Sequence, residues 1–369
     1  MNNTNKIGSN AKIKKIIIGI VAVAVMATAA VSVVGCRDQS QNDQEVIKIG
    51  AIIPLTGGAA VFGKYNNEAT IASLEILSKG IGINYSLSIE DSKTSPKDAV
   101  NAYMKMRAVS KPKIVATELS SIAMALFPAV AQDNKLLIAI ATAEDLQKEV
   151  EAIQIYPSSQ QIYECLSLFL EHKEYSEDVT VYYINDDFGK SVCNKLQSKN
   201  QRFLAIPFDG NTDVRSLVAK GNNKCAVVVG YGSPFLAIIR ELQTLDASQY
   251  IIASPEFAFP EFYNAVDISR QNLYFMEFEN YESLNEILSP KLGRPVHPLD
   301  FLVFGGYLAS MSAAKELLKD GEEITGKKMY SKIVGKQFSY CQYVQSFDEF
   351  GTAIYNLSVS PASNLSKRH

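Results

Sequence analysis

Apolar residues fall in short β-branched runs, and most of these are separated by stretches of helical period. Val46 to Ile53 is such a run, closed by Pro54, and Phe62 to Lys79 then places Ala69, Ala72, Leu74, Ile76 and Leu77 on one helical stripe. Tyr85 to Ile89 alternates like a strand, and Ser95-Pro96 opens a helix with a hydroxyl cap and a first-turn proline. Lys113 to Ala116 reads as a strand, Ser121 to Gln132 as a helix and Leu136 to Thr142 as a strand. The rhythm then repeats, with strands over 179–184, 203–208, 226–230 and 250–253 and helices over 188–197, 213–219 and 234–242. Leu302 to Leu318 predicts a long helix and Tyr340 to Val344 a late strand. Strands alternating with helices in two such series predict two α/β lobes, each a parallel sheet covered by helices.

The first 35 residues do not fit this rhythm. Lys6, Lys12, Lys14 and Lys15 precede an apolar and small-residue run from Ile16 to Val34, which Gly35-Cys36 closes. A basic stretch, an apolar stretch and a small-residue cleavage site make a secretory signal. The terminal cysteine makes it resemble a bacterial lipoprotein signal, in which Cys36 is lipidated after the Gly35–Cys36 bond is cut. Residues 1–35 are then the signal peptide and 36–45 a solvated tether. An uncleaved transmembrane anchor is the alternative, since the apolar run approaches spanning length. Either way the remaining chain is exported.

Composition narrows the function. The 369 residues carry 36 Lys+Arg against 39 Asp+Glu, a net charge of −3, which offers no basic face for nucleic acid. Three histidines and five cysteines, without CxxC spacing, predict no metal site, and no cofactor is expected. Export permits disulfides, but Cys165, Cys193, Cys225 and Cys341 allow three pairings and the sequence selects none. Gly58 to Lys64 fits the start of a phosphate-binding loop, but Tyr65 stands where that loop needs Ser or Thr to hold magnesium. His172 and His297 read as a solvated helix end and a loop, and no hydrolase or metalloprotease motif occurs, so an enzyme is disfavoured.

The strand ends carry more information, because ligands of open α/β sheets sit beyond the carboxyl ends of the strands. Here these are Pro54 to Gly57, Glu118-Leu119-Ser120-Ser121, Ile140-Ala141-Thr142, Gly230-Tyr231-Gly232 and Ser254-Pro255-Glu256. They supply hydroxyls and N–H groups for a carboxylate and an acid for an ammonium, the minimum set for an α-amino acid.

The order of motifs resembles the periplasmic substrate-binding proteins of the branched-chain amino acid type, the leucine/isoleucine/valine-binding family of ABC importers. Val46 to Gly63 is similar to that family's opening strand and Leu-Thr-Gly turn. Glu90-Asp91 with Pro96 and Ala99-Val100 is similar to its second strand and helix, and Ser120-Ser121 with Pro128 to its third loop. Asp186-Asp187-Phe188-Gly189 resembles an Asp-Asp-Tyr-Gly turn, and Phe347-Asp348 with Gly351 its closing strand. The likeness spans nearly all of residues 46–355.

The resemblance implies a periplasmic binding protein type I fold of two Rossmann-like lobes joined by three crossovers. Lobe 1 is expected over 46–156 and 283–340, lobe 2 over 157–282 and 341–358, with a tail from 359 to 369. It implies that Ser120 binds a ligand carboxylate with help from backbone N–H groups such as that of Thr142. The Thr142 hydroxyl and a carbonyl near Ile140 or Ala141 would meet the ammonium, Glu256 would neutralise it, and Tyr231 would add an aromatic contact. Phe188 replaces a usual Tyr, Phe62 a Trp or Tyr, and Phe257 a frequent Gly, so an apolar or aromatic amino acid is favoured. The implied partners are that ligand, an ABC permease and, through the lipid, the cell membrane. A sensory module of the same fold, or an amide or small carboxylate as ligand, are alternatives.

Overall fold

The computed structural model describes residues 45–245 and 248–367. The signal, its cleavage position and Cys36 lie outside the described residues, as do Arg368 and His369.

The first sheet contains β1 (Ile47–Ile53), β2 (Tyr85–Asp91), β3 (Ile114–Glu118), β4 (Leu136–Ile140) and β5 (Ala152–Gln154), all parallel in the order β2-β1-β3-β4-β5. Helices α1 (Ala60–Ile81), α2 (Pro96–Val109) and α3 (Ser120–Gln132) connect them. Strands β3 and β4 are buried at every residue, as expected for parallel strands covered on both faces.

The second sheet repeats the winding with β6 (Val179–Ile184), β7 (Phe203–Phe208), β8 (Cys225–Val229), β9 (Tyr250–Ala253) and β10 (Leu273–Phe278), after α4 (Ser159–His172). Helices α5 (Asp187–Lys199), α6 (Val214–Val218), α7 (Gly232–Leu245) and α8 (Pro260–Tyr263) follow its strands. Its order is β14-β10-β9-β8-β6-β7, where β14 (Leu357–Pro361) is the single antiparallel member. Apart from β14, both sheets place their second strand outside the first and their third on its other side. Each therefore has a switch point where crossovers leave on opposite faces, the crevice in which ligands of such sheets bind.

The same close approach builds the start of each half. In α1, a Cβ on Gly63 would stand 2.1 Å from the Pro54 carbonyl oxygen, and in α5 a Cβ on Gly189 would stand 2.0 Å from that of Ile184. Only glycine lets these helices lie directly over the ends of β1 and β6.

After β10 the chain forms α9 (Asn285–Leu292), the long α10 (Pro298–Lys319) and α11 (Gly326–Ile333). Helices α9 and α10 pack on α1. The single strand expected over 340–344 is instead broken at Cys341-Gln342, the turn of a hairpin between β11 (Gln337–Tyr340) and β12 (Tyr343–Phe347), with β13 (Ala353–Ile354) beside β12. This small sheet packs on α10, and Thr352 bridges to Gln154 of β5. Residues 341–354, expected with the second lobe, therefore lie against first-sheet elements, because their pairing partner is β11. Only β14 joins the second sheet.

The chain passes between the sheets at 155–158, 279–284 and 355–357. The passages touch one another: the Tyr355 hydroxyl donates to the Ile155 carbonyl at 3.1 Å, and the Phe278 ring lies edge-on to Tyr156 and Tyr355. The expected loose tail is tied down through residue 366, since β14 pairs with β10 and Ala362 and Leu365 are buried. Among the described residues no helix is long and apolar enough to cross a membrane. The four described cysteines carry free thiols, three of them buried.

Candidate functional site

A cavity of about 60 Å³ lies where the carboxyl ends of the two sheets meet. From the first sheet it is lined by Glu118, Leu119 and Ser120 after β3 and by Ile140, Ala141 and Thr142 after β4. From the second it is lined by Asp186 and Phe188 after β6, Tyr231 after β8, and Pro255, Glu256 and Phe259 after β9. Phe62, Tyr156, Phe278 and His297, with Pro298, Leu299 and Leu302 of α10, complete the wall.

The loop after β3 turns sharply. Leu119 adopts φ 77° and ψ 132°, a left-handed conformation that costs a branched side chain energy and clusters at functional sites. The turn seats Ser120 as the first residue of α3, whose N-terminus carries unpaired N–H groups and favours negative charge. The Thr142 N–H donates to Ser120 Oγ at 3.1 Å, joining the ends of β3 and β4. Thr142 Oγ1 is buried and has no hydrogen-bond partner among the described residues. The Ile140 carbonyl accepts from Leu119 N–H, and the Ala141 carbonyl from Gln154 Nε2 at 3.4 Å. Ser121, expected at the site, does not line the cavity. It is the second residue of α3, one helical step of about 100° beyond Ser120, and so leaves the cavity-facing side.

Three carboxyl groups reach the cavity, and among the described residues no Lys or Arg lines it. Glu256 sits in a single 3-10 turn, Pro255–Ala258, that follows β9. The Tyr156 hydroxyl donates to its Oε1 at 2.6 Å, while Oε2 is buried without a partner among the described residues. Burial pushes the Glu256 carboxyl up, and the hydroxyls of Ser254 and Tyr156 oppose this. Glu118 is also buried; Asn66 Nδ2 of α1 donates to its Oε2 at 3.1 Å. Burial pushes the Glu118 carboxyl up to about 8, against the Asn66 bond and with help from the charge of Glu256. Asp186 is the most fully satisfied: it caps α5 by accepting from Gly189 N–H at 2.9 Å and accepts the Tyr231 hydroxyl at 2.6 Å. Burial still moves it upward.

Aromatic rings close the cavity across the two halves. Phe62, in the first turn of α1, lies edge-on to Phe259 at 4.8 Å and to Tyr231 at 5.5 Å between centroids. Phe188 packs edge-on to Tyr156 at 6.1 Å. Phe257 does not reach the cavity; it points into the core of the second half, against Phe235 and Phe275, and Phe259 takes the wall position. The backbone is the reason: Phe257 lies within the 3-10 turn, whereas Phe259 follows it in extended conformation, with φ −71° and ψ 131°.

Seven of the eight residues named from the sequence thus converge: Phe62, Ser120, Ala141, Thr142, Phe188, Tyr231 and Glu256. Glu118, Tyr156, Asp186, Phe259 and His297 join them without having been singled out. His297, read as a loop residue, is buried and caps α10: its Nδ1 accepts from Leu299 N–H at 3.1 Å. Arg294 holds that cap through two bonds to Asp300 and one to Glu68. A sequence signal existed for Glu118, an acid ending a strand otherwise built of Ile, Val, Ala and Thr, and for Asp186, which opens the Asp186-Asp187-Phe188-Gly189 turn.

The chain has relatives of known structure. It is similar to a leucine-binding protein from Thermotoga maritima at 19% identity, covering 85% of this chain and 95% of that one with a TM-score of 0.74. It is also similar to a branched-chain amino acid transporter substrate-binding protein from Streptococcus pneumoniae, solved with isoleucine, at 17% identity and TM-score 0.73, with coverage of 85% and 95%. A possible leucine/isoleucine/valine-binding protein from Rhodopirellula baltica gives 13% identity and TM-score 0.75, with coverage of 87% and 95%. At these identities the likeness establishes the fold. No curated protein sequence matches the chain. The family model described as "Periplasmic binding protein" matches residues 46–277, which is more than half of the sequence, and the chain belongs to that family.

Proposed function

We propose that this protein is the solute-binding component of an ABC importer, exported, lipid-anchored through Cys36, and holding an amino acid between its two sheets. The observation that carries the reading is the cavity's polarity. One side presents Ser120, the unpartnered Thr142 hydroxyl and the N-terminus of α3, which suit a carboxylate. The opposite side presents Glu256 with one buried, unpartnered oxygen, which suits an ammonium. That α-amino acid relatives such as the isoleucine-bound protein share the fold supports the same assignment.

The two sheets with their covering helices form lobes hinged at the three adjacent passages. The cavity is smaller than the about 150 Å³ that holds benzene in an engineered core. An amino acid therefore enters only when Phe62 and the rings of the second lobe draw apart, and closure over it is what a permease would read. A thermal-shift screen against the amino acids and small carboxylates tests the reading, since a ligand at 100 times its Kd adds about 2.7 kcal/mol of stability. Stabilisation by small carboxylates without an amine, and by no amino acid, would refute it.

A further inference from the structure

We infer that Glu118 is a second anchor, so that the preferred ligand is a small amino acid with a second cationic nitrogen on a short side chain. This rests on the amino-acid reading above and narrows it away from a purely apolar side chain.

Glu118 and Glu256 line one small cavity from opposite sheets, and no Lys or Arg among the described residues faces them. Asp186 is occupied by Gly189 N–H and the Tyr231 hydroxyl. An α-ammonium carries one positive charge, enough for one of the two remaining carboxylates. Two like charges in one dry site cannot both ionise without a second cation. Glu256 Oε2 and Thr142 Oγ1 are buried, line this cavity and lack partners among the described residues, which marks it as built for a polar guest.

Glu118 has the surroundings of a switchable acid. Asn66 Nδ2 donates to it from α1, and Asn66 is held in turn by the Thr70 hydroxyl, which lies 3.5 Å from the Tyr307 hydroxyl of α10. The titratable groups around the cavity are Glu256, Asp186, Tyr156, Tyr231 and His297. None is a fixed cation. At neutral pH Glu118 therefore holds a proton before the ligand arrives. A cationic side chain stabilises the carboxylate, so the O–H bond breaks, the proton passes to solvent, and an ammonium–carboxylate pair remains.

Isothermal calorimetry at pH 7 with three probes of similar length tests this: L-2,4-diaminobutyrate, L-norvaline and L-asparagine. Repeating the titrations in buffers of different ionisation heat counts protons. The diamino acid should bind about thirtyfold or more tighter than norvaline and release close to one proton. Glu118→Gln keeps the shape and an acceptor for Asn66; it should bring the two affinities within about threefold and abolish the release. Proton release by the unaltered protein does not depend on how well the variant folds. Norvaline binding as tightly as the diamino acid overturns the inference and leaves the amino-acid reading standing. So does tighter asparagine binding without proton exchange, which would make the second group a neutral amide. Binding of none of the three, with none of the other amino acids active in the thermal screen, removes both readings together.

Discussion

The hydroxyl of Tyr156 donates to Oε1 of Glu256 at 2.6 Å, joining a residue on the first passage between the sheets to the acid that faces the cavity from the second. The bond leaves one carboxylate oxygen buried without a partner among the described residues, and it fixes which oxygen that is. It also links the cavity to the passages between the sheets, because Tyr156 packs against Phe278 where the second passage begins.

Two variants separate anchoring from orientation. On the amino-acid reading, Glu256→Ala removes one side of a desolvated ion pair with the ligand and should cost about 2–5 kcal/mol, a factor of tens to thousands in affinity for a ligand found by screening. Tyr156→Phe keeps the ring and deletes one hydrogen bond to a charged group, costing about 1.5–3 kcal/mol. It should also raise the Glu256 carboxyl further, because one of the two hydroxyls that hold it down is gone. Calorimetry with both variants checks the order. Equal affinity in Glu256→Ala and the unaltered protein would contradict the role given to that acid.

The same buried acids govern stability. Folded Glu118 keeps its proton up to about 8, whereas an unfolded glutamate loses it near 4.5. Between those values the native state binds more protons than the unfolded one, so stability falls as pH rises. The contribution is complete below pH 4.5 and lost as pH passes through 8. Ligand-free protein should therefore show a melting temperature that declines across this window, and Glu118→Gln should flatten the decline. Glu256 adds a slope of the same sign. A melting temperature independent of pH between 5 and 8 would rule this out.

Much of the framework was legible because buried parallel strands read as plain apolar runs. Strands β6, β7 and β9 fall where the sequence placed them, and Ser95 caps α2 by accepting from Asp98 N–H as its spacing predicts. The hairpin at 340–344 was not legible, because its turn carries Cys341 at φ 52° and no Gly or Asn to announce a left-handed residue. At the site, strand-end residues were readable since the β–α rule points to them. Tyr156, Phe259 and His297 were not, because a hinge passage, a 3-10 turn and a helix cap bring them in from positions with no local signature. Phe257 and Phe259 show the limit most plainly: two aromatics two residues apart, one in the core and one in the wall.

The paired glycines offer a control within one experiment. Gly63→Ala and Gly189→Ala force a methyl group against backbone carbonyl oxygens that cannot rotate away. Each should cost about 1–3 kcal/mol, with α1 or α5 displaced from its strand. Nothing lies within 4 Å of where a Cβ on Gly58 would sit, so Gly58→Ala should change stability by no more than about 0.5 kcal/mol. Urea denaturation of the three variants, compared at constant m-value, gives the contrast.

Export makes a prediction independent of the fold. If Cys36 is the lipidated residue, the mature chain begins there, and Cys36→Ser should accumulate as an uncut precursor. Mass spectrometry of the membrane fraction should find the N-terminal peptide starting at a modified Cys36. An unmodified Cys36 inside an intact N-terminal peptide would leave the transmembrane-anchor alternative.

Closure should be measurable in solution. Ser120 and Thr142 belong to the first sheet and Tyr231 and Glu256 to the second, so a ligand gains both sets of contacts only when the lobes meet. Without ligand, the halves already meet through the rings of Phe62 and Tyr65 against Phe259, Phe262 and Tyr231, through the Ser191 hydroxyl, which donates to the Thr142 carbonyl at 3.0 Å, and through the Lys195–Glu144 ion pair at 2.8 Å. A ligand with differential affinity for the open and closed forms should shift the balance between them. Small-angle scattering should show the radius of gyration falling as ligand saturates. Phe62→Ala removes the rings' common partner and should raise the ligand-free radius while leaving the saturated value unchanged. A radius that stays constant on saturation, in both the unaltered protein and Phe62→Ala, would mean that the passages at 155–158, 279–284 and 355–357 act as a rigid joint, and occupancy would then have to be signalled by something other than lobe movement.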